Sequence, residues 1–222
     1  MPMEKIQVLV WSEGTEPRDV YPRGMNADIA GYLNSKPDVE AKTSFLSDPG
    51  EGLGEELLQS VDVLMWWGHQ RHQDVSDTAV ERVVGRVRNE GMGFIPLHSA
   101  HYSKPFTTLT GRSCSLGGWR EDGKPEKIHV VDPNHPIADG INDFVIPQTE
   151  MYKEPFDIPD PEDVVFKSTF EGGEWFRSGV TFTLGKGRVF YFRPGHETFR
   201  IMTNPNVQKV LYNAVLWAAR RT

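Results

Sequence analysis

The chain has 222 residues, a formal net charge of -7 and 38% hydrophobic residues. The acidic balance argues against nucleic acid or an anionic membrane as partner, and the length suits one domain, 1–222, with a core that needs no staples. A single cysteine, Cys114, excludes an intrachain disulfide and fits a reducing compartment. No apolar run approaches the ~20 residues of a membrane helix, and "MPMEKIQVLVW" lacks the pattern of a secretory leader. A cytoplasmic protein is expected.

In chain order, "IQVLVW" (6–11) is a continuous apolar run that predicts a buried strand. "NADIAGYLN" (26–34) has helical spacing with Asn26 as N-cap, "VEAKTSFL" (39–46) predicts an outer strand and "GLGEELLQS" (52–60) a short helix. "VDVLMWW" (61–67) and "MGFIPLH" (92–98) predict two more buried strands. Between them, "SDTAVERVVGRVRNEG" (76–91) is the clearest helix, capped by Ser76 and ended by Gly91. Alternating strands and helices predict βαβ crossovers and a parallel sheet. The second half differs: "EKIHVVD" (126–132), "FVIP" (144–147), "DVVFKSTF" (163–170), "GVTFTL" (179–184) and "GRVFYF" (187–192) are strands joined by short connections. They extend the sheet with antiparallel pairs or form a β-rich flap. "NPNVQKVLYNAVLWAAR" (204–220) predicts a closing helix.

Polar residues gather after the predicted strands. Ser12 and Glu13 follow the first, His69 and His72 the second, and His98 and His101 the third. Glu150 and Tyr152 follow "FVIP", and Arg193, His196 and Glu197 follow "GRVFYF". Open α/β sheets bind ligands beyond the carboxyl ends of their strands, so five of the seven histidines fall on the ligand side. A lone histidine after a strand is ordinarily a turn residue, and that reading is kept for His72 and His129. For His135, in "DPNHPIADGI", turn chemistry and a site role weigh equally. The repeated pattern favours function for His69, His98 and His196, leaves His101 open, and marks Glu150 as a pocket carboxylate. Trp66 and Trp67 read as core. Trp119 and Arg120 lie in a Gly-rich rim, where substrate contact and surface packing are both open. Arg193 is placed to hold substrate oxygens or to orient Glu150, with a surface ion pair as the alternative.

"WWGHQRHQDVS", "LHSAHYSKPF", "GGWRE", "HPIADGI", "TEMYKEPFDIP", "GGEWFRSGV" and "GRVFYFRPGHETF", in this order, resemble the trehalose-utilisation (ThuA-like) family over about residues 5–218. The resemblance implies a class I glutamine amidotransferase-like, flavodoxin-like α/β fold. Its sheet would be mostly parallel, with helices on both faces and an added β-rich segment in the second half. It also implies a role in carbohydrate, especially disaccharide, catabolism, with links to 3-keto sugars. Arg177 enters as a substrate contact on the resemblance alone. Amidotransferases of this superfamily carry a cysteine on a strand-to-helix elbow and a downstream His-x-Glu pair. Here the elbow reads Leu97-His98-Ser99-Ala100-His101, without cysteine, and His196 and Glu197 are adjacent. Thiolate chemistry is therefore not expected at that position.

Three chemistries compete. His69, His98, Glu150 and His196 offer a nitrogen and oxygen set suited to zinc or another divalent ion, which would polarise a sugar carbonyl or activate water. Metal-free acid–base work by Glu150, His196, His98 and Tyr152 is the second. A Ser99–His196–Glu197 triad belongs with it but lacks the G-x-S-x-G elbow. The third is a non-catalytic carbohydrate-binding or regulatory protein, with Trp and Tyr platforms beside Arg and Glu; the expected substrate contacts of the site are Trp119, His101, Arg177 and Arg193. No nucleotide cofactor is expected, and the fold suits a homo-oligomer.

Overall fold

The computed structural model describes residues 4–222. Nine strands form one sheet: β1 (Ile6–Ser12), β2 (Val39–Phe45), β3 (Val63–Trp67), β4 (Gly93–Leu97), β5 (Gly118–Val130), β6 (Phe144–Lys153), β7 (Asp163–Phe170), β8 (Trp175–Leu184) and β9 (Gly187–Phe192). Their order is β2-β1-β3-β4-β9-β8-β7-β5-β6. Strands β2, β1, β3, β4 and β9 pair in parallel, and every pairing from β9 through β8, β7 and β5 to β6 is antiparallel. The sheet is thus mixed, which corrects the expectation of a mostly parallel one. The cause lies in connection length. Only Gly185 and Lys186 separate β8 from β9, and a parallel return needs a crossover of a dozen or more residues.

Helices α1 (Met25–Leu33) and α5 (Pro205–Ala218) pack their apolar residues into one face's core, with Ile29, Leu33, Val207 and Leu211 buried. Helices α2 (Glu55–Gln59), α3 (Asp77–Gly85) and α4 (Lys104–Thr110) cover the other, through Leu58, Val83 and Phe106. The apolar strands β3 and β4 are buried along their whole length, as strands covered on both faces must be. Ser76 caps α3 by accepting from the Ala79 N–H, and Gly91 closes its terminal π turn in the left-handed region.

Three local readings need correction. Asn26 is not the N-cap of α1. The helix begins at Met25, whose N–H donates to the Glu16 carboxylate at 2.8 Å, and Asn26 is buried and donates to the Ser44 carbonyl. Helix α4 was not anticipated, because a seven-residue segment rich in β-branched threonine has little helical signature. Strands β5, β6 and β8 reach further than "EKIHVVD", "FVIP" and "GVTFTL". The stretch "GWREDGKP" is punctuated like a loop, yet it belongs to β5, with register shifts between Arg120 and Lys124 and between Lys124 and Glu126. Bulges let polar, Gly- and Pro-bearing sequence stay in a ladder.

Candidate functional site

The site forms where the carboxyl ends of β1, β3, β4 and β9 meet the far end of the β5–β6 ladder. His98 leaves β4 with φ 53, a left-handed conformation for a non-glycine residue. It occupies the elbow position, and backbone strain of this kind collects at functional sites. Gly195 permits the arrangement. Its φ is 146, and a Cβ there would lie 3.1 Å from that of His98 and 2.8 Å from Met202 Cε. Its carbonyl accepts from the Trp67 indole at 2.9 Å, tying the end of β3 to the loop after β9.

His69 is held from two sides. The carboxylate of Glu13, buried beyond β1, accepts from the Gln70 and Arg71 N–H groups at 2.7 and 2.9 Å and shapes the loop. Glu197 sets both carboxylate oxygens against His69 Nδ1, at 2.6 and 2.8 Å, which leaves Nε2 for the site. Burial pulls the His69 pKa down, but the hydrogen bond and charge of Glu197 outweigh it and leave it raised. Burial likewise works to raise Glu197, and the contact with His69 overcomes it, down to about 2.

His98 Nδ1 donates to the Arg193 carbonyl at 3.2 Å. Its Nε2 must then carry a lone pair, and this faces Glu150 Oε2 at 3.3 Å. Burial, followed by the Arg193 charge, holds His98 well below the ordinary histidine range. Burial also raises the Glu150 carboxyl, against the pull of His196 and Arg193. A lone pair facing a carboxylate oxygen requires a proton or a cation between them. His196 Nδ1 meets the Thr198 hydroxyl at 2.8 Å, and its Nε2 lies 4.0 Å from Glu150 Oε2. Glu150 Oε2 and His196 Nε2 are both buried without a hydrogen-bond partner. One ligand atom from each of His69, His98, Glu150 and His196 lies within 4.8 Å of all the others. Four ligands at about 2.1 Å in a tetrahedron sit about 3.4 Å apart, so small inward movements suffice.

A cavity of about 260 Å³ is lined by His69 and Glu150 of this cluster, with His98 and His196 outside its lining. Tyr152 stands in its wall, its hydroxyl 2.7 Å from Ser99 Oγ and 3.4 Å from His98 Nε2. His101 donates from Nδ1 to the Cys114 carbonyl at 2.8 Å and presents an unpartnered Nε2; burial lowers its pKa to about 3, so it stays neutral. Trp119 lines the same cavity and is 65% exposed. Two expected contacts lie elsewhere. Arg193 is fully buried, its guanidinium paired with Glu126 and Thr149 and lying over the Tyr152 ring, so its charge supports the wall rather than meeting a ligand. Arg177 forks onto the Glu154 carboxylate at 2.9 and 3.0 Å and donates to the Phe156 carbonyl, bracing the turn after β6. His129 pairs with Asp143 and Thr169, and His135 caps the short turn at Ile137. Trp66 and Trp67 are core.

Sequence reasoning left out Glu121, which lines the cavity with Oε1 3.6 Å from His196 Nε2. Its spacing of two from Trp119 was the available signal, since residues two apart on a strand share a face.

A solved ThuA-like protein from Parabacteroides merdae superposes with a TM-score of 0.73 at 14% identity, covering 99% of this chain and 91% of that one. A second, from Bacteroides uniformis, gives 0.68 at 15%, covering 98% and 93%. A glutamine amidotransferase from Thermotoga maritima gives 0.62 at 13%, covering 98% and 99%. These likenesses show the amidotransferase-like fold. No curated protein matches the chain. The family model for trehalose utilisation, ThuA, matches residues 7–218, and the chain belongs to that family.

Proposed function

We propose that the protein is a carbohydrate-acting enzyme, specific for a disaccharide or its keto derivative, whose chemistry takes place on a divalent ion held by His69, His98, Glu150 and His196. The observation that carries this reading is the convergence of four ligand atoms within 4.8 Å, two of them buried and otherwise unpartnered. The supporting shell agrees with it. Glu197, the Arg193 carbonyl and the Thr198 hydroxyl occupy the three Nδ1 atoms, and such outer contacts fix the ring and tautomer of a ligating histidine.

Three nitrogens and one carboxylate suit zinc or a similar ion. When bound, the ion would polarise a sugar carbonyl or activate water. The chain's own groups do the rest. Tyr152 and Ser99 present hydroxyls to a ligand oxygen, neutral His101 offers an acceptor, and the buried floor excludes bulk water. The elbow carries His98 rather than a thiol, and Cys114 is buried with its thiol raised to about 11 by burial. Glutamine hydrolysis is therefore not proposed.

Calorimetric titration of chelator-treated protein with zinc tests the reading. One ion per chain is expected, and Glu150→Gln should weaken binding by an order of magnitude or more. Equal zinc affinity in the two proteins would overturn it.

A further inference from the structure

The cavity wall contributed by the β5–β6 ladder has a consequence for substrate shape. Trp119 stands directly opposite Tyr152 in the antiparallel register. Glu121 and Glu150 lie two residues from each, so all four side chains share one face, and all four line the cavity. Arg120, between Trp119 and Glu121, points the other way, to Asp122 and Glu174. Glu150 and Tyr152 are buried at the floor, whereas Trp119 is 65% exposed at the mouth. Tyr102, 42% exposed, lines the same cavity.

The backbone leading to Trp119 is held tightly against the end of β6. Gly117 runs so close to β6 that a Cβ there would lie 2.1 Å from the Glu154 carbonyl oxygen, and its N–H donates to the Lys153 carbonyl. Pockets that enclose drug-sized ligands run roughly 300–1,000 Å³. At about 260 Å³, this cavity lies below that range, a size suited to one pyranose ring. A disaccharide entering it would set its second ring at the mouth, where the exposed indole is the flat apolar surface on offer and the Glu121 carboxylate accepts from hydroxyls.

We infer that the protein takes a disaccharide end-on, with one ring in the cavity over the histidine cluster and the second stacked on Trp119 beside Glu121. This rests on the carbohydrate reading above.

The test is calorimetric binding of trehalose and of glucose to the wild type, Trp119→Ala and Trp119→Phe. The wild type is expected to bind trehalose about tenfold more tightly than glucose, one decade in the dissociation constant. Trp119→Ala should cost trehalose several-fold more affinity than it costs glucose, and Trp119→Phe should retain most of the difference. Unchanged trehalose binding by Trp119→Ala, or equal losses for both sugars, would overturn the end-on arrangement while leaving the carbohydrate reading intact. Conversion of a wild-type dimer to a monomer by Trp119→Ala, with sugar binding unaltered, would assign the indole to an interface and also overturn it. A wild type that binds neither these sugars nor 3-keto-trehalose would overturn the carbohydrate reading and this inference with it.

Discussion

Glu197 faces His69 with both carboxylate oxygens, across 128 positions of sequence, at 2.6 and 2.8 Å from one ring nitrogen. The pair sets the orientation of the histidine that joins the loop after β3 to the cluster.

Replacing Glu197 with Gln should reduce zinc affinity 10–100-fold, the usual effect of losing an outer partner of a ligating histidine. In metal-free protein it should also cost stability, by about 2 kcal/mol in the best pH range. The pH dependence follows from the two shifts. Glu197 is depressed to about 2, so its contribution is present above the unfolded carboxylate pKa of about 4.3 and fades as pH falls toward about 2. His69 is raised, so its contribution is present below the unfolded value of about 6.5 and is lost as pH rises through the folded one. Urea unfolding of both proteins should show the largest gap between about pH 4.5 and 6.5. A gap that does not vary with pH would contradict the pairing.

Arg193 and Glu126 form a fully buried ion pair. Removing one partner strands a charge, so Arg193→Met should destabilise by about 3–5 kcal/mol. Combining it with Glu126→Leu should recover most of that loss. A double variant as unstable as the sum of the singles, by urea denaturation, would show that the two act separately.

Cys114→Ser should change stability by less than about 1 kcal/mol. The residue serves through its backbone, at φ 54, with its carbonyl on His101, and serine keeps both that and a partner for the Thr110 hydroxyl. A large loss of stability or sugar binding would mean that the thiol itself matters.

No ammonia should be released from glutamine by protein free of contaminating amidotransferase, because the elbow residue is His98 and no thiolate stands there. Steady release that scales with protein concentration would contradict this.

Much of the frame was legible because burial leaves a plain mark on sequence. Strands β1, β3 and β4 are continuous apolar runs, and α3 and α5 carry both periodicity and caps. The grouping of His69, His98 and His196 was legible too, since each follows a buried strand. What escaped was long-range. That β5 runs on through "GWREDGKP" depends on bulges that only the partner strand reveals. That Arg193 faces inward depends on Glu126, 67 positions away in a strand whose pairing the sequence does not announce. Glu13 and Glu197 stand out in the sequence only as strand-end carboxylates, and their role beside the loop of His69 appears when the fold brings them together.

The proposed site would hold its ion between three imidazoles and one carboxylate. Anomalous diffraction from crystals of untagged protein equilibrated with zinc tests it most directly. One peak per chain is expected, with His69, His98, His196 and Glu150 each at about 2.0–2.2 Å from it. Zinc-soaked crystals with no peak among these four residues, or with the ion held elsewhere, would contradict it.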